Sequence, residues 1–336
     1  MRKHLLPEEG QFYKVNLHCH STYSDGRMTL EELKALYKEN GYSAVAFTDH
    51  DVFIPHPELT DDSFVALHGY EMEVNEPATE GLSGRKRRTC HMCLVALDPD
   101  TVTPVCWHRE KFIPAKSLPH AHLVKNDPAE PDYERVYSHE GVSDMMRRGR
   151  EGGFFVTYNH PTWSLERYPD YTGYEGMHAM EIMNHACLAM GYPEYNERVY
   201  DDMLATGKRL FVIGADDTHH LHDACGAYTM VKAPRLGYRE LTSALVCGSF
   251  YASEGPEIKA LYIEDGRICI ETSPASRICL YSDLRRASIR LGEGGEPITE
   301  ASFPIPEEIS HFRLTVTDGC GKKAYTNAYF TDELGL

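Results

Sequence analysis

Two histidines, His18 and His20, lie one residue apart in an apolar run near the N-terminus. Residues 15–20 have the composition of a β-strand, in which successive side chains alternate between the two faces. The two imidazoles therefore point the same way, and Cys19 points the other way. Two imidazoles on one face at the end of a strand can bind a single metal ion, although an HxH pair on its own is weak evidence for a metal site.

Further metal-binding residue types follow this pair along the chain. Of six successive predicted strands, five carry His, Asp or Glu at the C-terminal end, and one carries a His inside the strand. The residues concerned are His18, His20 and Asp25, then His50, Glu71, His91, His160, and finally Asp217 and His219. In α/β barrels the C-terminal strand ends meet in one mouth, where active sites are built. The order of these residues therefore predicts one shared metal site.

The elements that must position these residues predict an α/β fold. Over the first three quarters of the 336 residues, apolar strands alternate with helical stretches, including a helix over 29–40 with a capping box at Thr29 and Glu32. This alternation favours a parallel α/β sheet or barrel. From residue 255 onward, short strands and turns replace the helices, which predicts a domain over 1–254 and a small β-sandwich domain over 255–336. Residues 98–140 fit neither pattern and are predicted to be a lid or insertion.

Composition and charge narrow the class of protein. The net charge of −17 argues against a large nucleic-acid duplex as a ligand, whereas a nucleotide remains possible. No apolar run reaches the roughly 18 to 20 residues that a membrane helix needs. The N-terminus lacks the apolar core of a signal peptide. The ten scattered cysteines are typical of reduced thiols, so we expect a cytoplasmic protein without membrane contact.

The ordered motifs resemble those of the PHP (polymerase and histidinol phosphatase) superfamily over residues 13–254. They are HxH followed by S-x-x-S-D-G, then T-D-H-D, G-x-E, a strand His, H-P and a terminal D-x-H. The resemblance implies a distorted (β/α)7 barrel, similar to a TIM barrel, that holds up to three metal ions. Residues 250–258 also resemble the branch that contains the carbaryl-hydrolase-like metallohydrolases.

The resemblance also implies roles for nine residues of this chain as metal ligands. The ligands would be His18, His20 and Asp217 for a first ion, His91 and His160 for a second, and Asp25, His50 and His219 for a third, with Glu71 bridging the first two ions. The mixed nitrogen and oxygen ligands favour two to three divalent ions of Zn, Mn or Fe.

The end of the last motif departs from the family pattern by one extra residue, Asp216. Either Asp216 or Asp217 can therefore be the ligand. We choose Asp217 because Asp217-Thr218-His219 keeps the D-x-H spacing, which places both side chains on one side of an extended chain. His220 and His222 are then predicted to be bystanders.

A metal-dependent hydrolase of the phosphoesterase type is the function expected from this set. Metal ions lower the pKa of a water molecule, which then attacks a small phosphorylated substrate. Asn184 and His185, at the end of a predicted strand, are expected to touch the substrate. The alternatives are hydrolysis of a non-phosphate ester, amide or carbamate, and a non-catalytic metal-binding module.

Overall fold

The structure, a computed structural model, describes residues 2–81 and 83–336. The part of the chain up to residue 254 contains ten strands, whose lengths range from two to eleven residues. They are β1 (Lys3–His4), β2 (Gln11–Asn16), β3 (Ala44–Phe47), β4 (Val65–Asn75), β5 (Thr89–Ala96), β6 (Phe154–Tyr158), β7 (Ala179–Asn184), β8 (Phe211–Ala215), β9 (Tyr228–Ala233) and β10 (Phe250–Ser253).

Five helices accompany these strands: α1 (Leu30–Glu39), α2 (His139–Glu151), α3 (His185–Ala189), α4 (Glu197–Ala205) and α5 (Tyr238–Val246). The predicted helix over 29–40 is confirmed. Thr29 is its N-cap and Glu32 completes the capping box, because each side chain accepts a backbone N–H of the other residue. The alternation of helices with apolar strands confirms the predicted α/β class.

The central sheet has the strand order β10-β9-β2-β3-β4-β5-β6-β7-β8. The pairs β2–β3, β3–β4, β6–β7 and β7–β8 are parallel, whereas β5 runs antiparallel to both β4 and β6. Parallel neighbours need a long crossover, usually a helix, and the described residues between β4 and β5 contain only a short 3-10 turn, Gly84–Lys86. The chain turns back, and β5 therefore runs against its neighbours, unlike the strands of a fully parallel sheet or barrel.

The reversal of β5 places His91 beside the C-terminal part of β4. Glu73, near the C-terminal end of β4, is the register partner of His91, near the start of β5. The beginning of β5 thus lies at the same sheet edge as the C-terminal ends of the parallel strands.

The two ends of the β2–β8 array approach each other just beyond the strands. Cys19 and Thr218 form an isolated parallel bridge. The backbone N–H of His20 donates to the Thr218 carbonyl over 3.0 Å, and that of Asp217 donates to the His18 carbonyl over 3.0 Å. These contacts bring the residues that follow β8 beside those that follow β2.

The C-terminal region consists of eight strands and one short helix: β11 (Ile258–Glu264), β12 (Arg267–Ala275), β13 (Arg277–Ser282), β14 (Ser288–Leu291), β15 (Ile298–Pro304), β16 (His311–Thr317), β17 (Lys323–Thr326), β18 (Tyr329–Phe330) and α6 (Thr331–Leu334). A four-stranded sheet, β1-β11-β12-β15, shares an apolar core with β13, β16 and β17. The N-terminal strand β1 completes this second sheet, and the pairing of β17 with β10 joins the region to the central sheet.

Residues 98–138 contain one 3-10 segment, Leu118–Leu123, and are otherwise irregular, and the last two residues of the predicted 98–140 insertion begin α2. The segment is fastened to the central sheet by polar contacts. The Arg135 guanidinium pairs with the buried Asp51 carboxylate at 2.5 Å, and the Trp107 indole N–H donates to the Asp51 carbonyl. Among residues 2–81 and 83–336, no helix is both long enough and apolar enough to span a membrane.

Candidate metal centre

The structure brings the nine predicted ligand side chains together at the strand ends. Seven of them line a cavity of about 330 Å³: Asp25, His50, Glu71, His91, His160, Asp217 and His219. His18 and His20 are fully buried, and both ring Nε2 atoms contact the Glu71 and Asp217 carboxylates. All nine therefore belong to one continuous cluster.

The most compact group consists of His18, His20, Glu71 and Asp217. The two Nε2 atoms lie 3.0 Å apart. Each lies 3.3 Å from Glu71 Oε2, and they lie 3.3 and 3.2 Å from Asp217 Oδ1. Around a tetrahedral ion with ligand distances of roughly 2.0 to 2.1 Å, neighbouring ligand atoms lie about 3.3 Å apart. The donor atoms thus have the spacing that one divalent ion requires.

Two further groups adjoin the first. His91 Nδ1 and His160 Nε2 lie 3.2 and 3.3 Å from Glu71 Oε1, the second oxygen of the shared carboxylate. Around Asp25 Oδ1, His219 Nε2 lies at 3.2 Å and His50 Nε2 at 3.8 Å. The cluster therefore has three places where imidazole nitrogens and carboxylate oxygens converge.

Most of the imidazoles are held by a partner on the nitrogen that faces away from the convergence points. His18 Nδ1 lies 2.7 Å from Glu181 Oε1, and His91 Nε2 lies 3.3 Å from Glu73 Oε2. The remaining partners are Ser24 Oγ for His20, Ser164 Oγ for His160 and the Asp217 carbonyl for His219. Such contacts fix the orientation of an imidazole ring and increase its basicity as a ligand.

Several polar atoms of the cluster are buried without a hydrogen-bond partner: Asp25 Oδ1, His50 Nδ1 and Asp217 Oδ1. Burial of polar atoms without a partner is costly, and bound cations are one way to compensate for it. The donor set and these orphaned atoms fit divalent cations.

The electrostatics of the cluster favour ionised carboxylates. Burial alone would raise the pKa of Glu71, but the imidazoles of His18 and His91 hold it well below its usual value. Burial would likewise raise the pKa of Asp217, but the surrounding imidazoles, of which His18 and His20 contribute most, together lower it. Burial and the charge of His20 lower the pKa of His50 to about 4, so this imidazole is neutral at pH 7 with a lone pair to donate.

Asp216 and Asp217 have different surroundings. Asp216 accepts the backbone N–H groups of Cys225, Gly226 and Ala227 over 2.8, 2.9 and 2.9 Å, and its carboxylate therefore stabilises a loop. Asp217 has a φ of 55°, in the left-handed region, and its carboxylate faces the imidazoles. Asp217 is thus the residue of the pair that lies in the cluster.

The two predicted substrate contacts lie elsewhere. Asn184 is buried, and its amide donates to Asp217 Oδ2 over 3.2 Å and to Glu181 Oε2 over 2.9 Å. His185 contacts Gly226, where a Cβ atom would meet the imidazole ring. Neither residue is part of the cavity lining, although Asn184 contacts the cluster.

Sequence reasoning missed Glu181 and Glu73 as partners of the histidines. Glu181 is buried in β7 and also accepts the His160 backbone N–H over 3.0 Å. The signal was available, since Glu181 is the one charged residue among the six of β7, A-M-E-I-M-N. A charged side chain in an otherwise apolar buried strand is rarely left without a partner.

Solved structures to which the chain is similar include the following three. The chain is similar to a two-domain protein containing a predicted PHP-like metal-dependent phosphoesterase from Bacteroides vulgatus, with 16% identity, 97% of this chain and 98% of that chain covered, and a TM-score of 0.45. A proposed metal-dependent phosphoesterase from Bifidobacterium adolescentis has 17% identity, with 72% and 97% covered and a TM-score of 0.39. An amidohydrolase from Chromobacterium violaceum with bound sulfate and no metal has 16% identity, with 61% and 87% covered and a TM-score of 0.37.

A family model matches one part of the chain. The fold and the cluster define an α/β protein with a candidate metal centre, and residues 16–99 match the model of the PHP domain. The predicted resemblance to the PHP superfamily is confirmed over this segment; the narrower resemblance to the carbaryl-hydrolase-like branch is not. A comparison with curated proteins gives no match.

Proposed function

We propose that this protein is a metal-dependent hydrolase of the phosphoesterase type that acts on a small phosphorylated substrate. The observation that carries the proposal is the convergence of nine His, Asp and Glu side chains on one cavity, with buried oxygens of Asp25 and Asp217 left without a hydrogen-bond partner. A closed structural zinc site needs only four ligands and leaves no open face toward a cavity.

Two to three divalent ions of Zn, Mn or Fe would be held by the three groups of side chains. The first group is His18, His20 and Asp217, the second is His91 and His160, and the third is Asp25, His50 and His219, with Glu71 shared between the first two. When bound, such ions would polarise the scissile bond and lower the pKa of a water molecule. We name Zn, Mn and Fe because the candidate ligands are nitrogen and oxygen donors.

The side chains around this centre would orient it and exclude bulk water. Glu181 accepts the Nδ1 proton of His18, so the lone pair on His18 Nε2 faces the cluster. Asn184 holds one oxygen of Asp217 and leaves the other free. The cavity of about 330 Å³ has the size of a site for a small molecule, which supports a small substrate over a polymer.

The proposal includes the finer description of the fold. We take β2 to β8 as a distorted (β/α)7 barrel, supported by the bridge between Cys19 and Thr218 that joins its two ends. Residues 1–254 would form the catalytic domain and residues 255–336 a small β domain. The anchoring of residues 98–140 through Arg135 and Asp51 supports an insertion that forms a fixed wall of the site.

Hydrolysis assays on a mixed panel test the proposal. The metal-loaded protein is assayed with phosphomonoesters, phosphodiesters, aryl esters, amides and carbamates. We expect turnover of a phosphoester, which Asp217→Asn abolishes and the matched control His122→Ala preserves. His122 is exposed, and its ring forms a hydrogen bond with the Pro119 carbonyl. Asn readily adopts the left-handed backbone of position 217, so this variant should fold.

Each alternative function has its own outcome in this panel. Turnover of carbonyl substrates alone would contradict the phosphoesterase assignment and favour an esterase, amidase or carbamate hydrolase. Metal binding without turnover of any compound would favour a non-catalytic metal-binding module.

A further inference from the structure

The lining of the cavity above the candidate metal centre includes two sets of side chains of different character. Arg27 and Lys116 are cationic, and we call them the cationic wall. Trp163, Ala186, Cys187 and Met190 are apolar or weakly polar. Neither set belongs to the nine side chains that converge on the floor.

The cationic wall is built from two segments that touch each other. The rings of Tyr23 and His120 lie with centroids 4.7 Å apart, which places the 3-10 segment that follows Lys116 against the turn that carries Asp25. The Arg27 backbone N–H donates to the His219 carbonyl over 2.9 Å. Both cations therefore stand on the side of the cavity next to Asp25 and His219.

These two cations differ from Arg109 and Lys111 in having no acidic partner. Arg109 and Lys111 pair with Asp132 and Glu134. Within the described residues, no carboxylate lies within 4.0 Å of the Arg27 or Lys116 charge. In a chain with 51 acidic residues, two unpaired cations at the mouth of a cavity are suited to an anionic ligand.

The apolar part of the lining is open to a ligand. Met190 is 57% exposed, and the Trp163 ring meets the His160 ring edge-on with centroids 5.1 Å apart. A flexible methionine and an aromatic ring form a surface on which a flat apolar group can pack.

We propose that the substrate carries a second anionic group besides the scissile phosphoryl group, and that Lys116 and Arg27 bind this second group. The inference rests on the proposed function, which assigns the scissile group to the floor of the cavity. An apolar or aromatic spacer would lie against Trp163 and Met190 and connect the two anionic groups. Lys116 is then a specificity-determining residue that the 98–140 segment supplies.

A matched pair of substrates tests the inference. We compare kcat/KM of the metal-loaded protein for para-carboxyphenyl phosphate and for its neutral amide, para-carbamoylphenyl phosphate. Calorimetry with the two corresponding phosphonates measures binding independently of turnover. The variants are Lys116→Met, Arg27→Met and their combination. Lys125→Met is the control, because Lys125 is exposed in the same segment but is not part of the cavity lining.

We expect the wild type to favour the carboxylate over the amide by about tenfold in kcat/KM and in phosphonate affinity, the size of one or two partly exposed charge pairs. The double variant should bring this ratio close to one, and Lys125→Met should leave it unchanged. Since each ratio is compared between variants, the small difference in leaving-group reactivity cancels.

The possible failures separate the two proposals. Hydrolysis of both esters with a ratio near one in the wild type, or with a ratio that the double variant retains, overturns the second-anion site and leaves the phosphoesterase intact. A preference in phosphonate binding that depends on Lys116, without hydrolysis of either ester, supports the anion site and contradicts the proposed function. Absence of both hydrolysis and preference overturns both.

Discussion

The two parts of the molecule differ in how they treat buried acidic side chains. The part up to β10 buries a series of carboxylates: Asp49, Asp51, Glu71, Glu166, Glu181, Glu194, Asp216, Asp217 and Asp223. From residue 255 to the C-terminus, none of the residues that the structure describes is a buried Asp or Glu. The C-terminal sheets instead share a core of aliphatic and aromatic side chains.

The difference shows where burial of charge has a purpose beyond folding. A buried carboxylate without compensation costs several kcal/mol, so each one needs a partner. Asp51 has Arg135, and Asp216 has three backbone N–H groups. Glu71 is surrounded chiefly by imidazoles, which are neutral or cationic depending on protonation. Divalent cations would supply the compensating positive charge that the buried carboxylates of Glu71 and Asp217 otherwise lack.

Among changes in the part of the chain up to β10, Glu71→Gln should cause the largest loss of hydrolysis. Its carboxylate contacts imidazoles from all three groups of candidate ligands. The neutral amide of Gln would remove the negative charge that attracts cations to the centre. Loss of supporting contacts alone costs about 10- to 100-fold, so removal of this shared carboxylate should lower hydrolysis by more than about 100-fold. Steady-state kinetics at saturating metal measures this loss, and activity equal to that of the wild type would contradict the role of Glu71.

In the C-terminal region, Phe312→Ala should lower the free energy of unfolding and leave the metal centre unchanged. Phe312 is fully buried in β16, and truncation of a buried Phe costs about 3 to 5 kcal/mol in the free energy of unfolding. Urea denaturation measures the loss, and the metal content of the folded protein should not change. A variant that loses metal while it remains fully folded would break the contrast between the two parts.

Glu181→Gln should have an intermediate effect on the metal centre. The amide can still accept the His18 Nδ1 proton, but it lacks the charge that increases the basicity of the imidazole. We expect metal affinity to fall by about 10- to 100-fold, as for other residues behind metal ligands. Competition with a chelator measures the affinity, and an unchanged affinity would show that the charge of Glu181 does not strengthen metal binding.

The smallest predicted effect is the contribution of Glu166 to the pH dependence of the free energy of unfolding. Burial raises the pKa of Glu166 to about 7 from 4.5, and the hydroxyls of Tyr137, Tyr158 and Tyr174 offset this only in part. Because the folded protein then binds this proton more tightly than the unfolded chain, its contribution is fully present below pH 4.5 and is lost as pH rises through about 7.

Glu166→Gln should therefore flatten the fall in the free energy of unfolding between pH 4.5 and 7. Urea denaturation at several pH values gives the slope. A variant with the slope of the wild type would assign the pH dependence to other groups.

Much of the candidate site could be predicted from the sequence, because its residues follow strand ends and strand ends are visible as apolar runs. The ordered positions of His18, His50 and His160 depend only on where each strand stops. Glu71 was expected at a strand end as well, but β4 continues to Asn75, so Glu71 lies inside the strand. The capping box at Thr29 was equally local.

Features that depend on contacts between distant segments could not be predicted. The direction of β5 follows from its antiparallel pairing with β4, and the partnership of Glu181 with His18 joins β7 to the end of β2. Asn184 was expected at the substrate because it ends a strand, yet its amide is directed to Asp217 and Glu181. The apposition of Lys116 to the turn around Asp25 depends on how an irregular segment folds back.

The central claim, that the nine side chains hold metal ions, is tested most directly by metal stoichiometry. Chelator-treated protein is reloaded separately with Zn, Mn and Fe, freed of excess metal and measured by elemental analysis beside Asp217→Asn. The account predicts two to three ions per chain in the wild type for at least one of these metals, and fewer in the variant. A folded wild-type protein that retains no more metal than Asp217→Asn under any of the three conditions would contradict it.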